Sequence, residues 1–189
     1  EAPEHPVAAI VGGAKVSTKL DVLKNLSEKV DYLILGGGMA NTFLAAEGYD
    51  MGISLIENGM KADVEVVKKQ ADARHCRIIV PDDHVCATEL AQDTVTKECK
   101  NGQIPENMMA LDIATTSRLA IKDCLNACKT LVWNGPLGVF ETPPFDAGTT
   151  VIAEYAASLS DQDKLISIAG GGDTQSALAN AGVSERFSY

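Results

Sequence analysis

Lys15 and Lys19 are four residues apart and follow Gly12-Gly13 directly, in the stretch AAIVGGAKVSTK (residues 8–19). Read as the first turns of a helix, the pair shares one face, where like charges repel and cations oppose the helix dipole. Each effect is unfavourable by a few tenths to about 1 kcal/mol. A bound polyphosphate reverses both penalties; two solvated lysines are the plainer alternative. On the repulsion argument, removing Lys19 should leave the helix no less stable. Asp173 follows Gly170-Gly171-Gly172 and precedes Thr174 and an apolar-periodic stretch. It can cap that helix, hold Mg²⁺ against phosphates, or do both. Asn134, within Trp133-Asn134-Gly135-Pro136, offers an amide donor at the end of an apolar run, or simply starts an Asn-Gly turn. Glu141 can accept from ribose hydroxyls or stand as a solvated loop charge. Gly36-Gly37-Gly38 has no lysine beside it and suits a flat, uncharged adenine. Met109-Ala110-Leu111 fits the apolar wall of such a pocket, although packing alone also explains it.

What must position these residues is a repeated junction. Four times an apolar run empties into a glycine-rich turn that opens a helix: AAIVGGAKVSTK, LILGGGMANTF, LVWNGPLGVFE and ISIAGGGDTQSAL. Such repetition implies a parallel sheet whose carboxyl ends face one crevice, where ligands of open α/β sheets sit. Glycines there admit a phosphate close to the backbone, and the helix starts present free N–H groups to it. Continuous apolar runs at 7–11, 32–35, 77–80, 130–133 and 165–169 read as buried parallel strands, with 84–89 as a possible further one. Helical periodicity occupies 16–29, 40–47, 62–73, 116–127, 149–159 and 174–181, the last closed by Gly182. The alternation predicts an α/β fold, a three-layer α/β/α sandwich with a mainly parallel Rossmann-like sheet. Residues 97–105, with Asn101-Gly102, read as an exposed loop.

The chain has 189 residues, enough for one α/β domain with a sizeable core. Its 16 Lys plus Arg against 26 Asp plus Glu leave a net charge of −10, which argues against nucleic acid or an anionic membrane as partner. Any bound anion must therefore be held locally, by lysines and backbone dipoles. No run approaches the roughly 20 apolar residues of a membrane span. Five cysteines without a C-x-x-C pair read as reduced, packed thiols of a cytoplasmic protein. His75, Cys76, His84 and Cys86 lie close in sequence, but their spacing matches no metal-site pattern. The opening Glu1-Ala2-Pro3-Glu4-His5-Pro6, without an initiating Met, reads as the start of an excised piece of a longer protein.

Neither a G-x-x-x-x-G-K-[ST] loop nor a G-x-G-x-x-G with its acidic ribose partner occurs, which argues against P-loop and dinucleotide-dehydrogenase readings. Instead GGAKVSTK, GGGMANTF, WNGPLGVFE and GGGDT, in this order and at these separations, resemble the C-terminal nucleotide-binding half of the phosphoglycerate kinases over essentially the whole chain. The resemblance implies a single nucleotide-binding domain over residues 1–189, from a kinase of two Rossmann-like domains. It implies Mg²⁺ with ADP or ATP as ligand, and phosphoryl transfer between 1,3-bisphosphoglycerate and ADP in glycolysis. By matching motifs, Lys15 and Gly172 would be catalytic, Lys15 on the phosphoryl group in flight. Gly13, Lys19 and Asn134 would serve the phosphates, with Gly171, Gly172 and Thr174 presenting a helix start. Asp173 would hold the metal, and Glu141 the ribose. Gly36, Gly37, Gly38, Ala110, Leu111 and Pro136 would complete the nucleotide pocket, Ala110 standing where many members have Gly. 3-Phosphoglycerate would bind only through the absent N-terminal domain. The chain is therefore expected to be a monomer that binds nucleotide and is essentially inactive alone. A non-catalytic nucleotide-binding module and a Rossmann-type oxidoreductase are the alternatives. The four arginines (Arg74, Arg77, Arg118, Arg186) are scattered, and none stands in a glycine junction.

Overall fold

A computed structural model describes residues 2–189. Strands β1 (Val7–Val11), β2 (Tyr32–Leu35) and β3 (Arg77–Ile79) join two later strands, β7 (Thr130–Asn134) and β8 (Ile166–Gly170), in one sheet. Its order is β3-β2-β1-β7-β8, and every pairing is parallel. Along β1 the side chains alternate between two cores. Val7, Ala9 and Val11 pack with Leu23, Phe43 and Val67 of helices α1 (Val16–Ser27), α2 (Gly37–Ala46) and α3 (Lys61–Ala73). Ala8 and Ile10 pack with Ile121, Leu125, Ile152 and Leu178 of helices α4 (Thr115–Ala127), α5 (Ala147–Asp161) and α6 (Gly172–Asn180). Both faces are thus covered, which is why these strands read as unbroken apolar runs. The expected three-layer α/β/α sandwich with a parallel sheet is what forms.

Two expectations change. Residues 97–105 are not all loop: β5 (Lys97–Lys100) pairs antiparallel with β4 (Asp83–Ala87). Only Cys99 of the Lys97-Glu98-Cys99-Lys100 strand is buried, so its pattern carries almost no hydrophobic signal. On its other side β4 pairs with β6 (Met109–Ile113), making a second, three-stranded sheet of order β5-β4-β6. Met109-Ala110-Leu111 is therefore strand, not merely an apolar run. Helices α2 and α6 also begin earlier than periodicity suggests, with Gly37-Gly38 and Gly172-Asp173 inside their first turns. Gly182 follows α6 with φ +71°, as a C′ glycine should.

All five cysteines are buried and free. Burial pushes the Cys76 thiol up to about 11 and the Cys86 thiol up to about 12, so both are protonated packing groups. Among the described residues no group of three or more His, Cys, Asp or Glu could hold a metal ion, and no helix is long and apolar enough to cross a membrane.

Candidate functional site

The carboxyl ends of β1, β2, β7 and β8 open on one side of the parallel sheet, and the loops that leave them are tied together. Lys19 is the knot. Its Nζ donates to the carbonyl of Gly12 at 2.8 Å and to Oδ1 of Asn134 at 2.7 Å. The Gly12 N–H in turn donates to the Asn134 carbonyl at 2.9 Å. Thr174 lies buried at the start of α6, its Oγ1 accepting from the Gly135 N–H at 2.7 Å. One lysine, one asparagine and one threonine thus fasten three of the four glycine junctions. Burial lowers the Lys19 pKa, and the negative charge of Asp173 opposes that shift.

Lys15 differs from its expected place. It occupies the N-cap of α1 in extended conformation (φ −132°, ψ 130°) and is exposed, while Lys19 sits one turn inside the helix. The two do not share a helix face, and the repulsion argument fails on that geometry. The acidic group that the first turn lacks arrives from elsewhere in the chain. Glu57 accepts from the Ser17 N–H and hydroxyl, and these bonds, together with the nearby charge of Lys15, hold its carboxyl below the usual range. Nothing in the local sequence of α1 signals this partner. Of the two readings of Asp173, the cap is not realised: Gly171 is the N-cap of α6, and Asp173 is an exposed first-turn residue without a hydrogen-bonded partner.

The glycines divide into two classes. A methyl group on Gly12 would overlap the Pro136 carbonyl, and one on Gly135 would overlap the Gly12 carbonyl. Gly36 lies close on Leu137 (2.8 Å from the added carbon), Gly37 on Gly13 (2.9 Å) and Gly38 on Ala14 (2.7 Å), a looser but still excluded fit. These glycines are demanded by neighbouring backbone. Gly170 and Gly172 differ: a methyl on either meets nothing within 4 Å, and neither has a left-handed φ. Nothing in the protein requires a glycine at those two positions. The space in front of them is open to a ligand at the N-terminus of α6.

Beside this junction lies a cavity of about 350 Å³. Of the expected site residues, Gly13, Gly37, Gly38, Ala110, Leu111, Pro136, Glu141 and Asp173 line it. Lys15, Lys19, Gly36, Asn134, Gly171, Gly172 and Thr174 do not line it; Lys19, Asn134 and Thr174 fasten the loops that do. The wall is mostly apolar, with Met109, Leu137 and Val139 beside Leu111, and with half-exposed Leu55 and Leu90. Reading the sequence alone misses three buried polar groups of this wall: Asn41, His84 and Asp112. Each interrupts an apolar pattern, which is the only local sign of them. Asp112 accepts from the N–H groups of Ile113 (2.8 Å) and Gly148 (2.7 Å), with Arg118 at 3.4 Å. Burial raises its pKa to about 7 against those contacts. Gly138 and Gly148 close on its carboxylate so tightly that a Cβ on either would overlap it.

The phosphoglycerate kinase family profile matches residues 1–189 in full. This chain belongs to the phosphoglycerate kinase family. It is 52% identical to the phosphoglycerate kinase of Rhizorhabdus wittichii over 187 residues, covering 99% of this chain and 47% of that one. It is 51% identical to that of Novosphingobium aromaticivorans, with 99% and 48% covered. The phosphoglycerate kinase structure from Coxiella burnetii superposes with a TM-score of 0.94 at 38% identity, over 100% of this chain and 48% of that one. The chain thus spans about half the length of the phosphoglycerate kinases it matches.

Proposed function

We propose that the chain is the nucleotide-binding half of a phosphoglycerate kinase and that it binds ADP or ATP with Mg²⁺ in the crevice at the carboxyl ends of β1, β2, β7 and β8. The observation that carries this reading is Gly170 and Gly172, two glycines that no protein contact explains, at a helix start beside Lys19. The base and ribose lie in the cavity between Gly37-Gly38 and Ala110-Leu111, with Glu141 at the rim for the ribose hydroxyls. The phosphates lie toward Gly13, Lys15, Lys19 and the N–H groups of Gly171, Gly172 and Thr174. Asp173 suits Mg²⁺: an exposed, unpartnered carboxylate supplies one oxygen, and this ion takes the rest of its shell from phosphates and water. When bound, the metal would neutralise phosphate charge.

In this role the protein does little covalent chemistry. It positions the phosphoryl group and stabilises its charge, as phosphoryl transfer requires. Lys15, exposed, is free to follow the transferred group, whereas Lys19, anchored on Gly12 and Asn134, holds the inner phosphates. The second substrate has no place here. Arg118 turns inward to Asp112 and Arg186 pairs with Asp161, and among the described residues no arginine lines the cavity. The acceptor site for 3-phosphoglycerate would belong to the remaining half of a full-length kinase. Calorimetric titration with ADP, with and without Mg²⁺, tests the binding. Saturable heat strengthened by Mg²⁺ is expected, and its absence from a folded sample would overturn the proposal. A titration with NAD separates this reading from an oxidoreductase.

A further inference from the structure

We infer that Cys124 and Cys128 form a two-thiol modification site that hydrogen peroxide closes to a disulfide, with Cys124 as the attacking sulfur and Cys128 as the resolving one. The site lies away from the crevice. Cys128 stands just before β7, at the amino end of the parallel strands, whereas Asn134 ends β7 on the crevice side.

Helix α4 ends at Ala127, and Cys128 is its C-cap, in extended conformation (φ −94°, ψ 157°). Residues four apart stack on one helix face. Helix geometry puts their Cα atoms about 6 Å apart, within the roughly 4.4–6.8 Å that a disulfide spans. Both side chains belong to the core on the α4, α5 and α6 side of the sheet. There the Cys128 thiol donates to the Cys124 sulfur. Because the chain leaves the helix at Cys128, that sulfur can draw closer without breaking a helical turn beyond it.

The other three thiols are placed differently. Cys76 packs in the opposite core, on the α1, α2 and α3 side. Cys86 of β4 is paired with Lys97, and Cys99 of β5 with His84, so these two thiols are diagonal rather than facing neighbours. Each donates to a carbonyl of its own strand at 3.9 Å. Electrostatics favours the same choice. The bond from Cys128 lowers the Cys124 pKa, and the charge of Arg77 adds to it against burial. Burial pushes Cys76 and Cys86 the other way. Cys124 is also the more accessible of the pair, at 8% exposure against 3%.

The Cys124 thiolate attacks one peroxide oxygen; the O–O bond breaks, giving a sulfenic acid and a hydroxide that takes up the Cys124 proton. The Cys128 sulfur then attacks the Cys124 sulfur, and the hydroxyl leaves with the Cys128 proton as water. Two electrons pass from the sulfurs to peroxide, and the products are one disulfide and two waters.

Trypsin places both cysteines on one peptide, residues 123–129, and separates Cys76, Cys86 and Cys99 onto three others. The test treats the folded chain with hydrogen peroxide, alkylates it without reductant, and maps the peptides by mass. The expected result is a 123–129 peptide two hydrogens lighter and unalkylated, formed before Cys76, Cys86 or Cys99 is lost, and returned to two free thiols by dithiothreitol. Cys128→Ser should halt at the sulfenic acid on Cys124, trapped as a dimedone adduct. Two alkylated thiols in that peptide after the other cysteines have oxidised would overturn the inference. So would irreversible oxidation of Cys124 beside a free Cys128, or a folded Cys128→Ser chain that gives no adduct. Should the variant fail to fold, the peptide map of the unaltered chain still decides.

Discussion

Glu57 grips Ser17 with both oxygens: Oε1 accepts from the backbone N–H at 2.9 Å and Oε2 from the hydroxyl at 2.6 Å. A residue forty positions away thus supplies the negative charge that helix α1 lacks in its own first turn. The lysines after Gly12-Gly13 are therefore not the uncompensated pair that their spacing implies. Lys15 stands outside the helix near Glu57, and Lys19 is held by carbonyl-type acceptors of Gly12 and Asn134. The energetics of the junction belong to tertiary contacts, and the experiments follow from that.

Lys19→Ala should lower the stability of the ligand-free chain by about 1–3 kcal/mol, because the Gly12 carbonyl and Asn134 Oδ1 lose a charged donor. This reverses the expectation from helix repulsion. Nucleotide affinity should fall as well. Urea melts without ligand, followed by an ADP titration, separate the two effects. Unchanged stability would mean that the lysine contacts contribute nothing.

Gly172→Ala and Gly12→Ala should part company. The first meets no neighbour and no left-handed φ, so stability should stay level or rise by up to about 1 kcal/mol while ADP binding weakens. The second forces a methyl into the Pro136 carbonyl and should lose about 1–3 kcal/mol or fail to fold. Thermal melts of both variants, with ADP titration of the first, check this. Full ADP affinity in Gly172→Ala would remove the main support for phosphates at α6.

Asp173→Asn should leave the melt within about 0.5 kcal/mol, since the side chain is exposed and caps nothing. The strengthening of ADP binding by Mg²⁺ should shrink markedly. Titrations at several Mg²⁺ concentrations measure it, and an undiminished Mg²⁺ effect would exclude the carboxylate as the metal's ligand.

Asp112 carries a pH dependence. Its folded pKa, about 7, lies above the ordinary carboxylate value of 3.8. The folded state therefore holds this proton more tightly than the unfolded chain does. The stabilisation is complete below pH 3.8 and is lost as pH rises toward 7. Urea melts from pH 4 to 8 should show unaltered chain losing stability relative to Asp112→Asn over that window. A constant difference would mean that Asp112 titrates normally.

The parallel sheet was legible because both its faces are covered, so that Val7–Val11 and Tyr32–Leu35 are apolar at nearly every position. The second sheet was not. Its β5 strand buries one residue in four, and its pairing to β4 depends on a partner segment rather than on its own pattern. In the site, Gly13, Gly37, Ala110, Leu111 and Glu141 line one cavity because each lies next to a glycine junction or on the strand facing it. Asn41, His84 and Glu57 escaped because their roles come from contacts between segments far apart in the chain. The one-helix reading of Lys15 failed for a local reason: Lys15 is in extended conformation, and α1 begins only at Val16.

The two kinds of glycine have unequal fates under mutation. Replacing Gly12 or Gly135 breaks the fold's own fit, and selection for a folded chain alone would purge such changes. Replacing Gly170 or Gly172 leaves a chain that folds as well as before, and only the demand for a ligand would preserve them. A descendant freed from that demand could drift at the second pair while displaying the first intact. It would keep the Gly12-Gly13 and Asn134-Gly135 junctions and lose only the glycines that open α6. Whether the chemistry persists is written in the residues that folding does not need.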